Sequence, residues 1–248
     1  MATAVWGPAL ASRGMVGKLA ERRGTDINLR SGPQQREYEA IVARIARDAP
    51  DSVLDWGCGW GQVSHLLKRA GLEVSSFDFR PEREPGLQPL ERFPDIEAYI
   101  ETSDPRRVPY DDGAFAAVLS CGVLEHVEDP GASLDELRRV LKPGGTLYVY
   151  KLPNRHSYLE WIAKRLGLYY HGRDRFDRVY GLADARALVS AHGFDVREIG
   201  RANMLPLTID GAAAQSAAGA IWAANRALAR VPGLQLLATN VELVATRV

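Results

Sequence analysis

A carboxylate, three glycines and a second carboxylate 21 residues past the first glycine are the groups in this 248-residue chain whose spacing could do chemistry. Asp55 stands near the end of an apolar run, Ser52 to Trp56, that reads as a strand. Gly57, Gly59 and Gly61 follow in WGCGWGQVS, and a helix is predicted from there to about Ala70. Glycines let a ligand approach the backbone and permit positive φ. A helix starting beside them aims unpaired N–H groups and its positive dipole end at the same point. Together these make a nucleotide site. A dinucleotide fingerprint needs G-x-G-x-x-G, yet its third place holds Gln62. Asp55 would sit poorly beside a pyrophosphate and well beside a cation, so an amino acid carried on a nucleoside suits the loop better than NAD. Asp78 closes a second predicted strand, Glu73 to Phe77, where a carboxylate can accept from two ribose hydroxyls. The plainer alternatives are a strand-to-helix turn for the glycines and a cap or turn residue for Asp78.

The elements that must hold these groups follow from periodicity. Tyr38, Ile41, Val42 and Ile45 recur at helical spacing in Gln34 to Asp48, with Pro33 at the start. Arg80 to Pro94, with four prolines, reads as a loop or broken helix, and Ile96 to Ile100 as a third strand. Ala116 to Ser120 is a buried strand, a helix opens at Asp129-Pro130, Lys142-Pro143-Gly144-Gly145 breaks it, and Thr146 to Lys151 is a fifth strand. Leu182 to His192 is a helix stopped by Gly193, Phe194 to Gly200 a strand, Ala212 to Arg230 an alanine-rich helix, and Asn240 to Val248 the final strand. Alternating strands and helices imply a parallel sheet covered on both faces. The expected organisation is an N-terminal arm over residues 1–33 and one domain over 34–248, with insertions at about 153–181 and 202–239. Basic and acidic residues balance at 31 each, so no global field would recruit nucleic acid. No basic leader or membrane-length apolar run stands out, and the two cysteines read as reduced thiols, which predicts a cytoplasmic location.

With these pieces placed, the stretch from about Gln34 to Lys151 resembles the class I S-adenosylmethionine-dependent methyltransferases, in particular the small-molecule branch called type 11. VLDWGCGWG, Asp78, SDPRRVPYDDGAF and SCGVLEHVEDP…LRRVLKPGG match in order. The resemblance implies a Rossmann-like α/β sheet of seven strands, order 3-2-1-4-5-7-6, with the last strand antiparallel. It implies that Asp55, Gly57, Cys58, Gly59 and Gly61 hold the methionyl part of S-adenosyl-L-methionine, Asp78 and Phe79 the ribose and adenine, and Asp104 the adenine amino group. Cys121 and Gly122 would line the floor under the sulfonium, and S-adenosyl-L-homocysteine would be the product. Two positions depart from the family: Pro105 has no N–H to offer adenine, and Ala116 replaces an aspartate. KLPNRHSYLEWIA and HGRDRF are loosely similar to the ubiquinone-pathway O-methyltransferases. Where some of those have a metal-binding glutamate this chain has Gly122, so no metal is expected.

Methyl transfer from a sulfonium is a direct displacement in which holding the acceptor supplies much of the acceleration. His126 is the histidine placed by motif to serve as a base for a hydroxyl, and the same place suits a structural histidine. Glu125 could orient it or cap the next helix. Tyr158, Trp161, Tyr169, Tyr170 and Trp222 could wall an apolar acceptor, and Arg173, Arg175 and Arg178 could meet an anionic group on it. The expected activity is O-methylation of a small lipid, quinone or glycosyl-type hydroxyl; a lipid acceptor would bring peripheral membrane contact. N- or C-methylation, a non-catalytic cofactor-binding scaffold and a nicotinamide-dependent oxidoreductase are the alternatives. The oligomeric state is not set by the sequence.

Overall fold

A computed structural model describes residues 29–167, 176–209 and 211–248. Seven helices and eight strands are assigned among them. The helices are α1 (Gly32–Asp48), α2 (Gln62–Arg69), α3 (Pro130–Val140), α4 (Tyr158–Arg165), α5 (Leu182–Ala191), α6 (Ala212–Ser216) and α7 (Ala218–Leu228). The strands are β1 (Val53–Trp56), β2 (Val74–Phe79), β3 (Gly86–Pro89), β4 (Glu97–Glu101), β5 (Phe115–Cys121), β6 (Leu141–Pro153), β7 (Phe194–Ala202) and β8 (Asn240–Arg247). They form one sheet in the order β3-β4-β2-β1-β5-β6-β8-β7. β1 lies parallel between β2 and β5, and β8 runs antiparallel to both β6 and β7. Without β3 the order is the expected seven-strand one.

The eighth strand corrects the sequence reading. Gly86–Pro89 pairs antiparallel with β4 at the sheet edge. Proline is excluded from a central strand because it cannot donate to the ladder, but an edge strand tolerates it. A second correction concerns Ala212 to Arg230, which is two helices parted at Ala217. Both pieces follow α1: Gln215 donates to the Arg30 carbonyl, and Ala218 packs so close to Gly32 that no side chain would fit there. The Lys-Pro-Gly-Gly turn is drawn into β6, whose pairing with β5 is irregular between Phe115 and Ala117.

Every residue of β1 is buried, as expected of a strand covered on both faces. On one face α1 and α2 pack Ile41, Val42, Ile45, Val63 and Leu67 against Val53, Ala117, Leu119 and Tyr148. On the other, α3 and α5 bring Leu134, Leu137, Val140, Ala185 and Val189 to Leu54, Val118, Leu147 and Leu243. Helix starts are locally encoded. Ser31 caps α1, with Pro33 in its first turn, and the Asp129 carboxylate accepts from Ala132 N at 3.0 Å to cap α3. That places Asp129, not Glu125, at the cap. No helix among the described residues is long and apolar enough to cross a membrane.

Ile45 is fully buried beneath α1. Ile45→Ala is expected to lower unfolding free energy by about 3 kcal/mol in urea titration. A loss below about 1 kcal/mol would show that α1 does not close this face of the core.

Candidate active site

Gly57, Gly59 and Gly61 all adopt positive φ, at 77°, 55° and 86°. The loop folds back on β2, with Gly57 N and Cys58 N both donating to the Phe77 carbonyl at 2.8 and 2.9 Å. A Cβ on Gly57 would lie 2.5 Å from Val123, whereas one on Gly59 would meet nothing within 4 Å. The loop is therefore packed on its inner side and open at Gly59. Asp55, at 2% exposure, sits beneath it. Ser76 Oγ donates to Ser64 Oγ at 2.8 Å, and Ser64 Oγ donates to Asp55 Oδ2 at 2.6 Å, so β2 and α2 jointly hold the carboxylate. Burial pushes the Asp55 carboxyl up to about 6; the Ser64 hydrogen bond opposes this and the nearby Asp78 charge adds to it.

Asp78 lies inside β2. Its Oδ1 accepts from Phe79 N at 3.0 Å, and its Oδ2 accepts from Arg80 Nε at 2.8 Å. Arg80 also donates to the Gly59 carbonyl and lies 5.6 Å over the Trp60 ring, which ties β2 to the glycine loop. Nothing in the spacing announces this arginine, which follows Asp78 by two residues. Asp104 accepts from Arg106 N and Nε, each at 3.1 Å. Its loop is organised by Glu101 at the end of β4, whose Oε1 accepts from Thr102 N, Ser103 N and Ser103 Oγ within 2.8 Å. Sequence reasoning missed Glu101, although an acid followed by Thr-Ser is the available signal.

Cys58 packs with Leu90, Ile96, Ala98 and Ile100, and burial raises its thiol well above the ordinary range. Cys121 ends β5, and burial pushes its thiol up to about 12. Both are poor nucleophiles packed among apolar side chains. Gly122, at φ 71°, donates its N–H to the Tyr150 carbonyl and turns the chain toward Glu125 and His126. His126 Nδ1 lies 2.8 Å from Asp177 Oδ1, and its Nε2 lies 3.8 Å from Glu125 Oε1. The carboxylates are buried while the imidazole is about one-third exposed, at 37%.

Arg178 fastens this arrangement. Its guanidinium donates to the carbonyls of Val127, Phe176 and Glu128, and its backbone N–H to the Glu125 carbonyl. That engagement of all its reach with the chain explains its position without an acceptor group. Tyr158 donates to the Met204 carbonyl at 2.6 Å and is partly buried, whereas Trp161 is 66% exposed beside Arg165. Tyr169, Tyr170, Arg173 and Arg175 lie outside the described residues. Across from Cys121, a bulge in β6 leaves Lys151 at φ 65° and turns it onto α1, where Nζ donates to Gln34 Oε1 at 3.0 Å and lies 5.1 Å from the Tyr38 ring centroid. Burial lowers its ammonium, but Tyr38, Cys121 and Glu37 outweigh this and shift it upward.

Residues 54–149 match a family model described as a methyltransferase domain. A ubiquinone biosynthesis O-methyltransferase of Xanthomonas campestris pv. campestris is 36% identical over 126 residues, 48% of this chain and 49% of that protein. The chain thus spans about half the length of the curated relatives it matches. Among solved structures, a Thermotoga maritima S-adenosylmethionine-dependent methyltransferase, titled a possible histamine N-methyltransferase, superposes with TM-score 0.57 at 16% identity, covering 92% of this chain and 95% of that one. The Burkholderia thailandensis 1,6-didemethyltoxoflavin-N1-methyltransferase, solved with 1,6-didemethyltoxoflavin and S-adenosylhomocysteine, gives 0.57 at 13% identity, covering 100% and 93%. These structural likenesses define the fold. Fold and matched segment together resemble those of the class I S-adenosylmethionine-dependent methyltransferases. Within that class the sequence relative named above is an O-methyltransferase of ubiquinone biosynthesis.

The raised Asp55 carboxyl has a measurable signature. Its folded value of about 6 exceeds the ordinary unfolded value of about 3.9, so the folded state holds the extra proton between them. Stability contributed by this group declines as pH rises from about 4 to about 6, and the burial penalty is fully present above that range. Asp55→Asn is expected to stabilise the ligand-free protein by roughly 3 kcal/mol at pH 7.5, a gap that closes toward pH 4. Equal denaturation midpoints for the two proteins at pH 7.5 would refute this account of the carboxylate.

Proposed function

We propose that this protein transfers the methyl group of S-adenosylmethionine to a hydroxyl oxygen of a small-molecule acceptor, of lipid, quinone or glycosyl type. The observation that supports this reading most is the buried Asp55 carboxylate beneath a glycine loop that is open at Gly59. A negative group held away from water at the end of a strand favours a cationic ligand and opposes a pyrophosphate. The residues fit the cofactor of the class: Asp55 would face its charged methionyl part, Gly57, Cys58, Gly59 and Gly61 would contact it, and Asp78 and Phe79 would take the ribose and adenine. Asp104 would serve the adenine amino group, and Cys121 and Gly122 the floor. Asp78 shares one oxygen with Arg80, so ribose binding must be accommodated beside that ion pair or exchange with it.

When bound, the cofactor supplies a methyl group on a sulfonium, ready for in-line displacement. The chain's own residues then position an acceptor and take up a proton. Asp177 at His126 Nδ1 fixes a tautomer in which that nitrogen carries the hydrogen and Nε2 keeps its lone pair, the state a general base requires. Arg178 holds this pair by joining the segment of Asp177 to the turn of His126. The pair of histidine and buried carboxylate favours an oxygen acceptor, since a hydroxyl gains most from a base, and the relative named for ubiquinone O-methylation supports the same choice. Tyr158 and Trp161 would contribute to the acceptor wall; recognition of an anionic acceptor group would fall to Arg173 and Arg175.

Calorimetry should register S-adenosylhomocysteine binding and no heat with NAD, and Asp55→Asn should weaken that binding at least about tenfold while leaving the protein folded. Absence of binding to S-adenosylmethionine and its product alike would overturn the reading. Once an acceptor is in hand, His126→Ala should lower kcat by about 10²-fold or more with cofactor affinity unchanged. An unaltered kcat would confine His126 to a structural role.

A further inference from the structure

The residues assigned to the cofactor run across the sheet, and the next strand in line carries a positive charge with no counterpart. In the order β2-β1-β5-β6, Asp78, Asp55 and Cys121 stand on the first three strands. Lys151 stands on the fourth, one residue past Tyr150, which pairs with Cys121. Neighbouring strands lie about 4.8 Å apart, so Lys151 is two spacings, roughly 10 Å, beyond Asp55 on the side away from Asp78. With Asp78 taking the ribose and Asp55 the amino-acid part, that side is where an acceptor would approach the methyl group.

Lys151 is held there in an unfavourable conformation. Its φ of 65° is a left-handed value that glycine adopts freely and lysine does not. The bulge between Val149 and Leu152 imposes it, and Asn240 Nδ2 donates to the Lys151 carbonyl at 3.3 Å. Glycine would suit this backbone better, so the side chain, not the place in the strand, accounts for the residue. That side chain is half-buried, donates to Gln34 Oε1 at 3.0 Å and makes no ion pair among the described residues. Burial works against its ammonium, yet Tyr38, Cys121 and Glu37 shift it upward, so it stays charged at neutral pH. Glu37 is itself taken by Arg226 at 3.4 Å, by Trp222 and by Asn203. Glu242 shares Arg226, but burial raises its carboxyl toward the neutral form, which leaves Arg226 to answer Glu37.

A second unanswered donor adjoins the first. Lys151 Nζ can only donate, so Gln34 must turn Oε1 toward it, and that fixes Nε2 of the same amide as a donor. Gln34 is 1% exposed, and this Nε2 has no acceptor. One positive charge with an adjoining N–H matches one negative charge spread over two oxygens, which describes a carboxylate. The ammonium and a bound sulfonium would also repel each other unless an anion lay between them.

We infer that Lys151 and Gln34 form a carboxylate-binding subsite for the methyl acceptor, which makes that acceptor a hydroxy acid. Resting on the methyltransferase reading above, this subsite narrows the acceptor from any small hydroxyl compound to one with a carboxylate near the hydroxyl.

4-Hydroxybenzoate and 3-hydroxybutyrate serve as probes with an aromatic and an aliphatic body, and their uncharged amides as controls. Each is titrated by calorimetry into the full chain saturated with S-adenosylhomocysteine. At least one acid should bind with Kd below about 1 mM, and its amide at least about tenfold more weakly. Lys151→Met removes the charge and keeps an unbranched side chain, and Gln34→Leu removes the amide. Each should weaken the acid at least about tenfold with S-adenosylhomocysteine affinity as in the parent protein, and in Lys151→Met the preference for acid over amide should vanish. Should Lys151→Met not fold, Gln34→Leu decides alone. Failure of both acids to saturate, equal binding of acid and amide by the parent, or undiminished acid binding in a folded variant would overturn the subsite. Weaker S-adenosylhomocysteine binding by Lys151→Met with acid binding intact would also overturn it, by giving the carboxylate to the cofactor. S-adenosylhomocysteine is titrated alone first: a parent protein that does not bind it loses the methyltransferase reading and the subsite together, whereas one that binds it and neither acid loses the subsite only.

Discussion

A single buried negative charge organises the centre of this molecule. Asp55 is held at the end of β1 by Ser64 from α2, which is itself held by Ser76 from β2, so three elements converge on one carboxylate. Burial disfavours its charged form strongly enough to lift it by about two decades of acidity, and the folded protein tolerates that disadvantage because the surrounding sheet supplies ample apolar burial. The glycine loop above it can exist only as the backbone conformations it has, since Gly57 meets Val123 and Gly61 meets Leu90 where any Cβ would go. Functional preference and destabilisation are here the same interaction seen from two sides, a common arrangement at sites built to receive a charged partner.

Much of this centre was legible in the sequence because it is local. Strand, triple glycine and helix occupy consecutive residues, and the second carboxylate ends the next strand, so periodicity and spacing were sufficient to find them. The start of α1 was likewise readable from Pro33, and the cap of α3 from Asp129 and Pro130. What escaped depends on contacts between distant segments. The prolines around β3 were read as breakers because sequence does not show that the strand lies at an edge, where a missing N–H is harmless. The partner of His126 is 51 residues away at Asp177, and the residue set around Lys151 comes from α1 and a bulge that no local pattern marks. Glu125 looked like a cap by proximity, yet the capping oxygen belongs to Asp129. The alanine-rich stretch was read as one helix across Ser216 and Gly219, the weaker helix formers that flank its break at Ala217.

The two faces of the sheet divide the work. The face under α3 and α5 carries the larger apolar cluster and supplies cohesion. The face under α1 is apolar only as far as Tyr150 and Val244, after which Glu37, Glu242, Arg226 and Trp222 form a polar cluster. Glu37 is 1% exposed and receives hydrogen bonds from Asn203, Trp222 and Arg226, so α1, α7 and the end of β7 are joined through one carboxylate rather than through packing. Such a junction fixes geometry more sharply than aliphatic contacts would, and truncating any member leaves the others buried without partners.

The sheet order also constrains how the chain can be made. Among the described residues β7 sits at the edge with β8 as its one strand neighbour, and β8 is inserted between β6 and β7 although it is the last of the three to be synthesised. During translation the parallel core from β1 to β6 can therefore form while β7 still waits, its backbone unpaired. Only the arrival of Val241, Leu243 and Ala245 closes that gap and buries their side chains. A nascent chain stalled before residue 240 would consequently expose two adjacent strand edges at once, the state most prone to intermolecular pairing and to capture by chaperones.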